Sequence, residues 1–420
     1  MRSNGPGAGR DGRIVLALAI LSGISYVATT AITSPDQFGL ASDVYATAVD
    51  SWLSGGDLYR VSPDERPGFF YLYPPVTLLL FLPHALLGAG MGAYLLQTAI
   101  NIVVVLAIAL VLKRAIERRG VELSALDQGL LLGFVAISPY AMPHFIEGQV
   151  TLWLALALAV GFDAIDRDRE ALAGGAFAAA AVIKVFPAAI GLWLLRLRLW
   201  RGVLAAMAVG IGALVAGIVF GPDLTERYIT DILVNRYEGQ TYDRVADITN
   251  DVGGIRRQLA GITGATGPWM TPVSLAILVP LLALAYRRID TDTHRLAGIL
   301  ATLTALLLFM PLQPLYMALL FFPVVLLIFT LESGPARWMV LIGTLATVFM
   351  IDYENYMDWI QWTPEMISGP LEALGEAFYT VMLPTDVGLW LFLLAAILIH
   401  TEWYQARYHS DRVHSTDSDR

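Results

Sequence analysis

The sequence predicts an all-α fold, a polytopic transmembrane helix bundle of about 11–13 membrane segments. Three observations predict it. Of the 420 residues, 56% are hydrophobic and only 15% are charged, far more apolar side chain than one water-soluble core of this size can use. Apolar stretches long enough to enter a bilayer recur along nearly the whole chain, where a spanning helix needs about 20 such residues. The charged residues fall in clusters between those stretches.

The apolar runs lie near residues 14–32, 71–87, 93–112, 128–143, 149–165, 171–184, 186–199, 202–220, 271–286, 295–310, 314–331, 337–351 and 386–401. Residues 1–13 read as a cytoplasmic N-terminus, 14–401 as one membrane domain and 402–420 as a cytoplasmic polar tail. The run from Ile14 to Ile32 lacks the small-residue cleavage pattern of a signal peptide and reads as the first span. Short cytoplasmic loops collect arginine and lysine. The basic clusters Arg2/Arg10/Arg13, Lys113/Arg114/Arg118/Arg119, Arg167/Arg169, Arg196/Arg198/Arg201, Arg287/Arg288/Arg295, Arg337 and the tail's Arg407, Arg412 and Arg420 therefore mark one face as cytoplasmic. The polar segments 33–70, 139–148, 221–268 and 352–384, the Lys184–Pro187 turn and the Pro311–Pro314 break then face outside, with 33–70 and 221–268 as long outer loops. This requires a net odd number of crossings between 71 and 112, so the Pro-rich run 71–87 is expected to dip in and return or to lie along the interface.

Several function classes are excluded. There are no cysteines, so no disulfide framework, thiolate metal site or cysteine nucleophile exists. No HExxH, phosphate-binding loop, dinucleotide fingerprint or GxSxG is convincingly placed, and nothing carries a nucleic-acid footprint. No cofactor is implied. Asp43-Val44-Tyr45 has tyrosine where a second carboxylate of a DxD would stand, which disfavours an obligatory metal.

The polar chemistry collects on the predicted outer face. Asp43 lies about ten residues beyond the first span, where a carboxylate can meet a lipid-borne substrate and take the proton of an attacking hydroxyl. The turn after Pro143 carries His144, Glu147, Gly148 and Gln149, and its backbone N–H groups and amide suit a sugar or phosphate. Lys184 is a lone lysine in apolar sequence, followed by the helix-breaking Pro187. A cation at such a break either snorkels to the interface or holds a phosphate. Arg256 and Arg257 in the second long loop are further phosphate candidates, beside Asn250. The aromatic segment Asp352–Trp362 reads as interfacial.

Taken in order, Asp43 with Tyr45, Gly56-Asp57-Leu58-Tyr59, Tyr71-Leu72-Tyr73-Pro74-Pro75, Gly148-Gln149, Ala173-Gly174-Gly175, Lys184-Val185-Phe186-Pro187 and Arg201 resemble the integral-membrane glycosyltransferases of the GT-C superfamily. The resemblance is strongest to glycosyltransferase family 87, which includes polyprenol-phosphate-mannose-dependent mannosyltransferases. It implies an outward-facing active site, a dolichyl- or polyprenyl-phosphate sugar donor in the lipid bilayer, a lipid- or protein-linked glycan acceptor and inversion at the anomeric carbon. It also implies Asp43 as the catalytic base; the residues themselves suggest Lys184 with Arg256 or Arg257 at the donor phosphate, and Tyr45, His144, Glu147, Gln149 and Asn250 at the substrates. The chain departs from the family at Met310–Tyr316, which lacks the family's histidine. A transporter or flippase of a lipid-linked sugar is the alternative. It would place polar residues mid-membrane on several spans, whereas here they gather in outer segments.

Overall fold

A run of leucine, isoleucine, valine and alanine in lipid must satisfy its backbone internally, and the helix does so within one segment. The computed structural model describes residues 8–235, 244–250, 252–310 and 314–401, and every regular element among them is a helix. In chain order these are α1 (Gly9–Thr33), α2 (Leu40–Leu53), a 3₁₀ turn (Pro75–Phe81), α3 (Leu82–Leu87), α4 (Met91–Arg118), α5 (Ala125–Ile137) and α6 (Met142–Glu147). There follow α7 (Thr151–Ile165), α8 (Glu170–Ile183), a 3₁₀ turn (Phe186–Ile190), α9 (Gly191–Arg196), α10 (Trp200–Phe220), α11 (Pro222–Arg227) and a π-helical stretch (Tyr228–Asn235). The remainder comprises α12 (Ile255–Thr263), α13 (Met270–Ala285), α14 (Asp292–Phe309), a 3₁₀ turn (Pro314–Leu320), α15 (Phe321–Thr330), α16 (Pro335–Val348), α17 (Tyr353–Ile360), α18 (Glu365–Val381) and α19 (Pro384–Ile399).

Among these, α1, α4, α10 and α14 are long and apolar enough to cross a membrane alone. Two bent pairs, α16 with α17 at 82° and α18 with α19 at 56°, raise the number to six. The other apolar runs form shorter helices because prolines and glycines interrupt them. The chain is a multi-pass helical membrane protein. The 71–87 run becomes the Pro75–Phe81 turn plus the six residues of α3, about 23 Å in all at standard rises and short of a hydrocarbon core of about 30 Å.

The main core is built on α14 and α15, where Phe321 to Phe329 is buried without a break. By contrast α10 buries only Gly202 and Gly217 and turns a leucine, isoleucine and valine surface outward. Helices α8 and α10 touch backbone to backbone: a Cβ on Gly174 would lie 1.8 Å from the carbonyl oxygen of Gly202. Only glycine permits that approach.

The basic clusters read from the sequence converge at one end. Arg13 donates twice to Asp127, both at 2.9 Å, Arg119 pairs with Asp166 at 2.6 Å, and Arg118 and Arg167 share Asp163. Arg196 donates to the carbonyl of Tyr286 at 2.7 Å. Arg337 ties the start of α16 to the carbonyls of Ile328 at 2.9 Å and Ala8 at 2.6 Å.

The opposite end carries a second, smaller core. The two segments expected as long loops contribute helices there: α2 in 33–70, and α11, the π stretch and α12 in 221–268. Val44, Tyr45, Ala48 and Val49 of α2 pack with Tyr59, Tyr71, Tyr73, Phe81, Val150 and Tyr228. The apolar side of α2 recurs at helical spacing, which is why a segment read as a polar loop folds down. Residues 1–7, 236–243, 251, 311–313 and 402–420, which include Arg236, most of the Pro311–Pro314 break and the polar tail, lie outside the described residues.

Candidate active site

Two cavities meet at the end opposite the basic clusters. The larger, about 1220 Å³, is lined by Ser22, Ser25, Tyr26, Thr29, Thr30 and Thr33 along one side of α1. Facing them are Tyr45, Arg66, Tyr73, Glu147, Gln149 and Arg244, and the ends of α16 and α17 near Asp352 and Asn355. A row of hydroxyls on a membrane helix is costly unless it faces water or a polar ligand. The smaller cavity, about 480 Å³, is almost wholly apolar and lies between α8 and α10, where Ala178, Ala181, Gly210, Ala213 and Gly217 leave room that larger side chains would fill.

The Tyr73-Pro74 step forms the wall between them, because Tyr73 lines the polar cavity and Pro74 the apolar one. Lys184 itself lines neither cavity, but its neighbours Val182 and Val185 line the apolar one and its ammonium faces Tyr73, which lines the polar one. It ends α8 in an extended conformation, with Val185 already in the apolar cavity. Its ammonium lies 4.7 Å from the ring of Tyr316 and 5.6 Å from that of Tyr73, and it donates to the Thr151 hydroxyl at 3.3 Å. No carboxylate pairs with it among the described residues. A half-buried cation held by rings and a hydroxyl is suited to receive an anion.

Gln149 organises the polar side. Its Oε1 accepts from the hydroxyls of Tyr45 at 3.1 Å and Tyr73 at 3.4 Å, and those hydroxyls share a 3.0 Å hydrogen bond. With its oxygen so occupied, the amide nitrogen turns the other way and donates to Glu147 Oε2 at 3.2 Å. The turn carrying Glu147 is fixed from below. His84 and Gln97 share a hydrogen bond at 2.9 Å, Gln97 donates to Asn101 at 3.0 Å, and Asn101 donates to the carbonyls of His144 at 3.1 Å and Gln149 at 3.2 Å. Gly148 closes α6 with φ +70°, a conformation that glycine adopts at no steric cost. His144 is fully buried under this turn. Burial, with Lys184 nearby, lowers its ring to about 3, so it is neutral near pH 7.

The other residues singled out in the sequence take different positions. Asp43, in the first turn of α2 and 8% exposed, does not line either cavity. Its Oδ2 accepts from Arg66 Nε at 3.0 Å and its Oδ1 from the Gly90 N–H at 2.7 Å. Arg66 also donates to the carbonyls of Asp36 and of Phe38, the latter at 2.7 Å. The pair thus clasps the first loop against α2 and α4. Arg257 is fully buried and donates to the carbonyls of Tyr379 at 2.6 and 2.9 Å, Asn250 at 2.9 Å and Ile248 at 3.0 Å. Its guanidinium is committed to holding the second loop on α18. Arg256 packs over the Phe309 ring at 5.1 Å and donates to Thr271 at 3.2 Å. Asn250 accepts from Arg244 at 3.3 Å and donates to Asp247 at 3.4 Å. Thr249 hydrogen bonds hold the Asp247 carboxyl below its ordinary range.

Sequence reasoning passed over Arg66, Arg244, Asp36, Glu65, Asp352 and the α1 hydroxyls, all of which line the polar cavity. The i, i+3, i+4, i+7, i+8, i+11 spacing of Ser22, Ser25, Tyr26, Thr29, Thr30 and Thr33 was the available signal. No group of three or more His, Asp or Glu side chains able to hold a metal ion occurs among the described residues.

A helical membrane bundle with a polar cavity and an apolar one on the two sides of the Tyr73-Pro74 step has room for an amphiphile with a polar head and an apolar tail. The sequence profile of glycosyltransferase family 87 matches residues 71–312, more than half of the chain, and the protein belongs to that family. It is a membrane glycosyltransferase. It is 29% identical over 307 residues, 70% of each chain, to a polyprenol-phosphate-mannose-dependent alpha-(1-2)-phosphatidylinositol pentamannoside mannosyltransferase of Mycolicibacterium smegmatis. No solved structure matches the chain.

Proposed function

We propose that this glycosyltransferase moves one hexose, mannose, from a dolichyl- or polyprenyl-phosphate carrier to the hydroxyl of a lipid- or protein-linked glycan on the outer side of the cell membrane, with inversion at the anomeric carbon. The observation that carries the reading is the Lys184 ammonium facing the ring of Tyr73, at the Tyr73-Pro74 step that separates the polar cavity from the apolar one. An isoprenoid tail fits the apolar cavity, the phosphate meets the ammonium, and the sugar projects into the polar cavity. The hydroxyl-rich wall of α1 offers the donors and acceptors that a glycan acceptor needs. The donor named for the mycobacterial relative supports the choice of a polyprenol-phosphate sugar, and of mannose.

In this reading residues 14–401 form one catalytic membrane domain, flanked by cytoplasmic residues 1–13 and 402–420. The basic end faces the cytoplasm and the cavities face out, by the tendency of arginine and lysine to stay inside. Tyr45 and Gln149 line the sugar site, and His144 supports their turn from beneath. Asp43, oriented by Arg66 and the Gly90 N–H, is the catalytic base in this reading, while Asn250 and Arg257 frame the second loop around Arg244. Arg256, on α12 against Phe309, supports the frame.

The test uses membranes of cells lacking this protein, in which the unmodified acceptor is retained. Purified wild-type protein is added with radiolabelled dolichyl-phosphate-mannose, and dolichyl-phosphate-glucose and GDP-mannose serve as control donors. Label transferred from dolichyl-phosphate-mannose alone is the expected result. Equal use of GDP-mannose, or no transfer from either lipid-phosphate sugar, refutes the reading of the donor.

A further inference from the structure

We infer that α18 lies in the plane of the membrane, its apolar side embedded in the lipid leaflet at the cavity end of the bundle, and forms no part of a span. Three sides of this helix differ in chemistry. Met366, Ile367, Pro370, Leu374 and Phe378 recur at i, i+1, i+4, i+8 and i+12 and are all exposed, and at 100° per residue they share one side. Glu365, Glu372 and Glu376, also exposed, fall on the opposite side. Between the two, Gly375 and Tyr379 are buried against the protein. One apolar side, one charged side and one side on protein are what a helix at the boundary of headgroups and acyl chains requires.

The neighbouring helix fixes the level at which α18 sits. The first turn of α19 is at the cavity end, where Asp386 accepts from the Gly254 N–H at 2.7 Å, and its last turn reaches the basic end, where His400 Nε2 pairs with the Arg288 carbonyl at 3.0 Å. It packs along α14 and, glycine against glycine, along α16, where a Cβ on Gly388 would lie 2.6 Å from the Gly343 carbonyl oxygen. Thus α19 crosses the bundle by itself. With 17 and 16 residues, α18 and α19 laid end to end would run about 50 Å, against a hydrocarbon core of about 30 Å. The excess has to leave the span, and α18 is turned 56° away from the α19 line.

The charges agree with attachment by apolar contact. No lysine or arginine occurs from Trp338 to Ala406, so attraction to anionic headgroups contributes nothing here and burial of apolar side chains carries the attachment. Trp359 and Trp362, 66% and 87% exposed just before α18, are amphipathic rings of the kind that favour the headgroup level. The pair of helices α17 and α18 is rigid. The Tyr356 hydroxyl donates to the Leu371 carbonyl at 2.8 Å, its ring lies so close that a Cβ on Gly375 would meet it at 2.0 Å, and Arg257 donates to the Tyr379 carbonyl at 2.6 Å. Asp352 and Asn355 at the start of α17 line the polar cavity, so the depth of α18 sets one rim of that cavity. The placement is independent of which donor the enzyme uses.

The chain has no cysteine, so single cysteines enter the full-length protein without a background. Met366→Cys, Leu374→Cys, Glu372→Cys and, on α19, Leu394→Cys are labelled with a nitrobenzoxadiazole fluorophore and checked for an unchanged melting temperature. They are then placed in phosphatidylcholine nanodiscs carrying a nitroxide at the headgroup, at a shallow acyl position or at a deep one, with iodide as the quencher from water. Met366 and Leu374 are separated by about 12 Å along the helix axis. Probes at both are expected about 5–10 Å below the headgroups, at depths differing by less than about half of that axial separation. The Leu394 probe is expected deeper than either, and the Glu372 probe open to iodide. Depths at Met366 and Leu374 that differ by the full separation make α18 part of a span and overturn the inference. Quenching of those two probes by iodide without nitroxide leaves their side in water, and quenching by neither means that protein, such as a second copy of this chain, covers it; each of these results also overturns it.

Discussion

Replacing Lys184 by glutamine removes the cation that faces Tyr73 and Tyr316 while keeping a donor of similar reach. In the free protein the ammonium has one long hydrogen bond, 3.3 Å to Thr151, and two ring faces at 4.7 and 5.6 Å. A charge-assisted hydrogen bond to phosphate contributes about 1.5–3 kcal/mol. Lys184 is only half-buried, so screening by cavity water places the loss toward the lower end, about 1.5–2 kcal/mol. That corresponds to roughly 10–30-fold in donor affinity. The assay compares the donor KM and inhibition by free dolichyl phosphate, which carries the tail and phosphate without the sugar. Both are expected to weaken by the same factor, with the acceptor KM unchanged, and Lys184→Arg is expected to retain most of the affinity. A glutamine variant with unaltered donor KM and unaltered inhibition by dolichyl phosphate would refute the placement of the phosphate at this residue.

Three further outcomes follow from the packing. Gly174→Ala forces α8 and α10 apart, since its methyl would meet the Gly202 carbonyl at 1.8 Å; a loss of about 1–3 kcal/mol is expected as a lower melting temperature in detergent. Arg257→Met leaves the carbonyls of Tyr379, Ile248 and Asn250 without their donor, at a cost of about 3 kcal/mol or more, and faster limited proteolysis within 244–250 is the readout. His144 is held neutral with its pKa lowered to about 3 in the folded protein, against about 6.5 unfolded. The unfolded chain therefore binds the extra proton first. Its contribution is complete above about pH 6.5 and is lost as pH falls toward 3, at up to about 1.4 kcal/mol per pH unit. Melting temperature measured across that window should fall less steeply in His144→Gln.

The surroundings of Asp43 were not legible along the chain: nothing in the sequence announces that Arg66, 23 residues away, and the Gly90 N–H donate to its two oxygens. Arg256 and Arg257 read alike in sequence. One is fully buried on backbone carbonyls and the other lies against Phe309, because successive residues on a helix point about 100° apart. For Lys184 the sequence showed a lone lysine in apolar sequence beside a helix-breaking proline, which either snorkels or meets an anion; only the fold shows the rings of Tyr316 and Tyr73 around its ammonium.

The sequence by itself determined the all-α membrane class, the helices, the basic clusters and the family resemblance. These depend on transfer of apolar groups from water and on backbone hydrogen bonding, which act segment by segment. Only the tertiary structure decided that α2 folds down onto a second core, that the α1 hydroxyls face a cavity, and that Lys184 sits over the rings of Tyr73 and Tyr316. Those facts depend on side chains brought together from segments far apart in the chain, where the energy of each contact is set by the geometry of its partner and has no signature in the local pattern.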